Sequence, residues 1–302
     1  MPKVSIIIPF FNEQESLPAL FDRLDTVING ATYADIDWEI MMVDDGSTDA
    51  SPAIVMDRRQ LDPRIHIVRL SRNFGKEAAM LAGLDSVTGD CAVIMDADLQ
   101  HPPEVIPQMV ERWRAGADDI VGHRLSRGGE SRLRYLLTRL YYSLASHLGA
   151  SAGDLSSGDF RLMSRSMIDA LRSIREADRY TKSLYSYVGF RTDSVDYIQE
   201  DRRFGTGKQG LRSLFNLGLK GVVTSSSRPL RLIPRAGVLM LLLAVVAACF
   251  EWGRWIPALI LAVGSVQLFA IALVAEYVAS AAVDARQRPP YFIMEKDGEK
   301  NF

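Results

Sequence analysis

The sequence predicts an α/β fold with a mostly parallel sheet, followed by a C-terminal two-helix transmembrane hairpin. Three features carry that expectation. Short β-branched runs alternate with helix-spaced apolar segments between Val4 and Met95, as in strands joined by helical crossovers. One of these runs, Cys91 to Met95, stops abruptly at two carboxylates one residue apart, Asp96 and Asp98. Two long apolar runs stand close together near the C-terminal end.

Val4-Ser5-Ile6-Ile7-Ile8-Pro9 reads as a buried first strand, and Leu17, Leu20, Phe21, Leu24 and Val27 recur at helical spacing between Gln14 and Ile28. Trp38 to Val43 is a second strand, ending in Asp44-Asp45-Gly46-Ser47-Thr48-Asp49, and Ser51 to Leu61 is a second helix. Ile65 to Leu70 is a third strand, which the polar loop Ser71-Arg72-Asn73-Phe74-Gly75-Lys76 separates from a helix running from Glu77 to Ser86. Cys91 to Met95 is the fourth strand, and His101-Pro102-Pro103-Glu104 starts the next helix, with Pro at the turn. All four strands end in polar loops, as a shared ligand site at the carboxyl edge of a sheet requires. No Gly-x-Gly-x-x-Gly follows the first strand, so a dinucleotide fold is not expected.

Farther along, Asp119 to Arg124 and Arg191 to Tyr197 read as strands, and Asp159 occupies a small-residue turn before a short strand. Ser131 to Leu148 and Gly210 to Val223 are amphipathic. In the first of them Arg132, Arg134 and Arg139 lie mainly off the apolar face. Such a helix suits a domain cover, a subunit contact or a membrane surface alike.

A formal net charge of −2 over 302 residues makes no case for a nucleic-acid partner. Cys91 and Cys249 both lie in apolar segments, which suits neither a disulfide framework nor a thiolate metal site. After Pro2-Lys3 come only about five apolar residues, below the ~7–15 of a signal-peptide core, so the first residues are expected to enter a cytoplasmic fold directly.

Asp96 and Asp98 at i and i+2 of an extended chain point to one side, where both can reach one hard cation, and Gln100 continues the parity. Taken alone, the pair equally suits a solvated strand end or a helix cap. Carboxylates after the second strand can hydrogen-bond a ribose or a base. The loop Asp201-Arg202-Arg203-Phe204-Gly205-Thr206-Gly207-Lys208 combines cations with glycines, which suits closure on phosphate as well as a solvated basic loop. All-oxygen ligands favour Mg2+ or Mn2+, ions that commonly bridge phosphates.

The first apolar run, counted from Leu232 to Trp252, approaches the ~20 residues a spanning helix needs. Trp255 to Ala275 is uncharged over 21 residues, and apolar residues continue past Glu276. Glu276 can snorkel, pair with a neighbour or mark a protein-lined groove. Arg228, Arg231, Arg235, Arg286 and Arg288 flank the hairpin, whereas its tip carries only Arg254 between Trp252 and Trp255. By the positive-inside rule both ends are cytoplasmic, in a multi-pass protein of the cytoplasmic membrane. The expected division is a cytosolic domain over 1–225, a membrane anchor over 226–283 with helices near 232–252 and 255–278, and a cytosolic tail over 284–302.

Several stretches jointly resemble the family-2, GT-A-fold (Rossmann-like) glycosyltransferases that act on polyprenyl phosphates. They are Ile8-Pro9-Phe10-Phe11-Asn12-Glu13, Val43 to Asp49, Leu70 to Lys76, Met95 to Glu104, Ser157-Gly158-Asp159-Phe160-Arg161 and Ser227-Arg228-Pro229-Leu230-Arg231. The resemblance implies that Pro9, Phe11, Glu13, Asp44 and Asp45 surround the nucleoside, with Asp96 shared between ribose and metal. It implies a cation held by Asp96, Asp98 and Gln100 against the diphosphate. Arg202 or Arg203 and Lys208 match the family's basic loop, and Arg124 with Arg132 or Arg134 would receive the acceptor phosphate. Asp159 takes the place of a catalytic carboxylate. The implied reaction moves a sugar from a nucleotide sugar, UDP-linked by preference, to undecaprenyl or polyprenyl phosphate with inversion, in a homo-oligomer, a tetramer by resemblance. Another lipid acceptor, or a tethered nucleotide-sugar binder without turnover, uses many of the same parts. Two departures stand out: Gly207 precedes Lys208 where relatives usually have Ser or Thr, and Val278-Ala279 follows Glu276-Tyr277 where they often have Gly-Arg.

Overall fold

The computed structural model describes residues 1–30, 33–125, 158–176, 179–198 and 256–300, with Gly237, Met240, Leu242 and Val246 as isolated positions. The chain divides into two compact units, one of Met1–Tyr135, Gly153–Lys208 and Pro289–Phe302, the other of Leu136–Ala152 and Gln209–Arg288.

In the first unit, strand β1 (Lys3–Phe10) buries both of its faces. Val4, Ile6, Ile8 and Phe10 enter one apolar layer and Ile7 the other, as side-chain alternation along a strand demands. Helix α1 (Leu17–Ile28) lays Leu17, Leu20, Phe21 and Leu24 on the first layer. Strand β2 (Asp37–Asp44), helix α2 (Ser51–Leu61) and strand β3 (Ile65–Leu70) follow. Helix α3 (Lys76–Ser86) packs Ala79, Met80, Ala82 and Leu84 into the second layer. After strand β4 (Cys91–Ile94), a short 3-10 turn leads into helix α4 (Ile106–Arg114), which returns to the first layer. Burial on both faces is what all-parallel strands need.

The remaining strands are β5 (Asp119–Arg124), β6 (Arg161–Ser164) and β7 (Thr192–Tyr197), with helices α5 (Arg165–Ser173) and α6 (Thr181–Val188) between the last two. The nine-stranded sheet of the described residues also contains β8 (Ile293–Lys296) and β9 (Glu299–Lys300), in the order β7-β5-β6-β4-β1-β2-β3-β8-β9. β4, β1, β2 and β3 are mutually parallel. The chain winds outward from β1 through β2 to β3 and then crosses back to β4 on the other side of β1. That reversal makes the carboxyl ends of β1 and β4 the switch point, the place where ligands of open α/β sheets bind.

Two features of the sheet were not expected. β6 runs antiparallel to β4, with Ile94 opposite Arg161, and so presents the residues just before Arg161 to the carboxyl end of β4. The tail, 284–302, for which the sequence suggested no strand, pairs antiparallel with β3 through β8. Asp297 fastens it, accepting from the backbone N–H of Ile67 at 2.9 Å and facing His66 Nδ1 at 3.0 Å. Tyr291 Oη donates to Asp85 at 2.5 Å, and Phe292 accepts from the Ser71 N–H at 2.9 Å.

In the second unit, helix α7 (Ile256–Ala285) spans 30 residues. Its segment Ala262–Ala285, 24 residues, is long and apolar enough to cross a membrane and is not buried within the protein. Leu268, Phe269 and Val278 are among its exposed apolar side chains. The first expected spanning helix, 232–252, and the amphipathic helices over 131–148 and 210–223 lie outside the described residues, save that Gly237, Met240, Leu242 and Val246 are helical.

Candidate active site

The loops after β1 and β2 are stitched together. Asn12, in the left-handed region with φ 56°, accepts the Thr48 N–H at 2.9 Å and donates its own N–H to Ser47 Oγ at 3.0 Å. Gln14 accepts from the Ala50 N–H at 3.1 Å, and the Glu13 N–H reaches Ser51 Oγ at 2.9 Å. Pro9 is buried at the base of this wall. Glu13 is half-buried and accepts from Ser16 Oγ at 2.8 Å. Phe11 projects outward, 41 % exposed, which suits a flat face for a base.

Asp44 and Asp45 are more deeply committed than the sequence suggested. Asp44, fully buried, accepts from the Ser47 N–H at 2.7 Å and from Arg69 Nε at 3.0 Å. Asp45 accepts the N–H groups of Phe74 and Gly75 at 2.7 and 2.9 Å. Burial pushes the Asp45 carboxyl up, with those two hydrogen bonds opposing. Each carboxylate therefore builds the wall of the crevice: Asp44 closes the turn after β2, and Asp45 ties that turn to the loop after β3. Neither hydrogen bond precludes a further one, since each carboxylate oxygen has two lone pairs.

At the end of β4 the extended parity of Asp96, Asp98 and Gln100 does not hold. The strand stops at Ile94, and Leu99 adopts φ 63°, rare for a bulky side chain. Leu99 is 1 % exposed, so its burial in the core holds the turn. The Gln100 N–H donates to Asp98 Oδ1 at 3.1 Å, and the Asp96 N–H donates to His101 Nδ1 at 3.0 Å. His101 stacks on Phe160 with ring centroids 4.9 Å apart and meets the edge of Tyr197. Burial lowers its pKa, with Asp96 opposing. Nδ1 therefore serves as the acceptor of a neutral ring, fixing the backbone of Asp96.

The antiparallel β6 brings Asp159 to this turn. Lys76 Nζ, at the first position of α3, lies 2.6 Å from Asp96 Oδ1 and 2.8 Å from Asp159 Oδ2. Burial alone would lower the Lys76 pKa, yet the two carboxylates hold it above the ordinary lysine value. Burial alone would raise Asp159; the Lys76 and Lys182 ammonium groups outweigh it and hold Asp159 below the usual carboxylate range. Asp159 Oδ1 is buried and has no hydrogen-bond partner among the described residues, an orphaned acceptor of the kind a ligand satisfies.

Asp96 and Asp159 meet at Lys76, and Asp98 follows two residues after Asp96; all three offer oxygen, the donor chemistry that Mg2+ and Mn2+ prefer. Among the described residues, no three His, Cys, Asp or Glu side chains are already drawn together as a metal nest. Arg124 stands exposed at the end of β5, opposite Tyr197 of β7. β5 runs parallel to β4, because both are antiparallel to β6, so Arg124 is at the same carboxyl edge as Asp96. Arg132, Arg134, Arg202, Arg203 and Lys208 lie outside the described residues. Sequence reasoning passed over Lys76, His101 and Asn12 as site residues. The one available signal was that all three sit in the polar strand-end stretches.

Two stitched loops and a cluster of charged side chains at the carboxyl edge of the sheet, beside its switch point, form the candidate ligand site. The chain belongs to glycosyl transferase family 2, whose profile matches residues 5–172. It is 33 % identical over 308 aligned residues to the prophage bactoprenol glucosyl transferase homolog of Escherichia coli K12, covering 96 % of this chain and 98 % of that one. Identity is also 33 % to the bactoprenol glucosyl transferase of Shigella phage SfV, with the same coverage of this chain and 98 % of the relative. Among solved structures, glucosyl-3-phosphoglycerate synthase from Mycobacterium tuberculosis, in complex with Mn2+, UDP and phosphoglyceric acid, superposes with TM-score 0.52. That match has 21 % identity and covers 75 % of this chain and 78 % of the other, a likeness of fold. The protein is thus a glycosyltransferase with a GT-A-like α/β domain.

Proposed function

We propose that the protein transfers a sugar from a nucleotide sugar, UDP-glucose by preference, to undecaprenyl or another polyprenyl phosphate. The near full-length similarity to bactoprenol glucosyl transferases is the observation that carries this reading. Asp96, Asp98 and Gln100, with Asp159 beside them, would hold Mg2+ or Mn2+. Bound there, the ion neutralises charge that develops on the departing diphosphate. The wall made by Pro9, Phe11 and Glu13, with Asp44 and Asp45 behind it, receives the nucleoside. Arg124, with Arg132, Arg134, Arg202, Arg203 and Lys208, supplies cations for donor and acceptor phosphates.

An acceptor phosphate oxygen forms the new bond to the anomeric carbon. The bond to the diphosphate oxygen breaks with its electron pair on the leaving group, and attack from the opposite face inverts the centre. A phosphate monoester has a second pKa of about 6, so its oxygen is already anionic near neutrality. Asp159 therefore acts as a positioning and charge-balancing group more than as a base. The test uses full-length protein in detergent with undecaprenyl phosphate and a panel of UDP- and GDP-sugars, reading the mass of the organic-extractable product. A hexosyl undecaprenyl phosphate from UDP-glucose is expected, and no product with any donor would sink the reading.

The membrane arrangement we infer is a two-helix hairpin, near 232–252 and 255–278, with both chain ends cytoplasmic. Support comes from chain parity. The sequence leaves the sheet after β7 at Tyr197 and is back in it at Ile293. Any bilayer between those points must be crossed an even number of times, so one crossing by α7 requires a partner. The arginines flanking the hairpin favour the cytoplasmic side for both ends. Single cysteines placed at Ser227 and at the exposed Glu299, in a background lacking Cys91 and Cys249, are expected to react with a membrane-impermeant maleimide only after inverted vesicles or lysed cells expose the inner face. Labelling of either from outside intact spheroplasts would refute the topology.

A further inference from the structure

We propose that Lys76 is the place-holder of the divalent cation, so that cation and nucleotide diphosphate bind as a coupled pair. The inference rests on the donor-site reading above and adds a residue and an order of events to it. Lys76 opens α3, and a cation at a helix N-terminus is disfavoured by the aligned peptide dipoles. Something must compensate, and here two carboxylates do. The ammonium lies 2.6 Å from Asp96 and 2.8 Å from Asp159, each within ion-pair distance. It thereby neutralises two like charges that the fold brings to one crevice from different strand ends.

A divalent ion that uses Asp96 Oδ1 meets an oxygen already taken by an ammonium. Two cations at one oxygen repel each other strongly in a part-buried site, so the ion enters only as Lys76 leaves. The displaced ammonium then needs another anion, and the donor diphosphate is the one the crevice admits. Lysine suits this exchange because its charge is a compact point on a flexible stem. The orphaned Oδ1 of Asp159 marks the other half of the exchange. Among the described residues that oxygen has no partner while its twin holds the lysine. A bare ion is thus opposed by Lys76, whereas an ion arriving with its diphosphate is accepted. The equilibrium consequence is positive coupling between the two ligands, reciprocal by linkage.

The experiment measures Mn2+ binding to full-length protein in detergent by the electron paramagnetic resonance signal of unbound Mn2+, with and without saturating UDP. In the native protein UDP is expected to tighten Mn2+ by at least ~10-fold, within the usual range of coupling. Lys76→Met is expected to bind Mn2+ alone at least ~10-fold tighter than the native protein, and the tightening by UDP to shrink by about the same factor. Lys76→Gln should do the same and serves if the Met variant does not fold; Lys76→Arg, which keeps the charge, should retain the native pattern. Asp98→Asn is the control for the site itself. If the neutral variants bind Mn2+ no tighter while Asp98→Asn removes binding, the place-holder role is overturned and the metal site stands. If Asp98→Asn leaves Mn2+ binding unchanged, the metal site falls and the role of Lys76 with it.

Discussion

Asp98→Asn is expected to lower turnover by at least ~10^3-fold, about 4 kcal/mol of transition-state stabilisation, while the fold stays intact. The substitution is nearly isosteric, and an Asn oxygen can still accept the Gln100 N–H that Asp98 Oδ1 accepts at 3.1 Å. The turn after β4, with Leu99 at φ 63°, therefore keeps its hydrogen bond. What is lost is an anionic oxygen at the carboxyl end of β4, where a hard cation needs charge as well as lone pairs. The rate of lipid-linked product formation, beside circular dichroism and thermal melting, separates the two effects. Turnover above a tenth of native would remove Asp98 from the catalytic centre.

Gly46→Ala is expected to cost about 2–5 kcal/mol, the sum of a left-handed backbone penalty and overpacking against a rigid neighbour. Gly46 has φ +76°, and a Cβ there would meet the Arg72 carbonyl carbon at 2.5 Å and the Asn73 nitrogen at 2.7 Å. Both obstacles are backbone, so no side chain can swing away. The loop that would be pushed is the one whose Phe74 and Gly75 N–H groups Asp45 holds and whose end carries Lys76. A fall in Tm of roughly 5–15 °C should come with at least ~10-fold weaker UDP binding, about 1.4 kcal/mol. Calorimetry and UDP titration read the two separately. An unchanged Tm would show that the turn after β2 and the loop after β3 are not in rigid contact.

Much of the sheet was legible because its signals are local. Ile6, Ile7 and Ile8, or Leu17, Leu20, Phe21 and Leu24, declare their element by spacing alone, since one period encodes a strand and another a helix. The Asp-x-Asp pair was legible as a strand end, yet its geometry was not. Asp98 leaves the extended chain because Leu99 turns inward to the core, a preference that only the surrounding packing creates. The two carboxylates after β2 were read as partners for a nucleoside; that they also fasten the turn and the loop after β3 was not legible. The tail after α7 carried no strand pattern that stood out, because Ile293–Lys296 is short and takes its strand conformation from the exposed edge of β3.

By itself, the sequence determined the α/β class, the placing of carboxylates at strand ends and a long apolar C-terminal segment. These follow from residue type and short-range period. Only the tertiary structure decided that Lys76, Asp96 and Asp159 share one ion-pair cluster. They come from three separate stretches, and their meeting depends on strand order and on the reversed direction of β6 beside β4. Strand order is settled by which faces and edges bury together, a long-range balance that no local pattern contains.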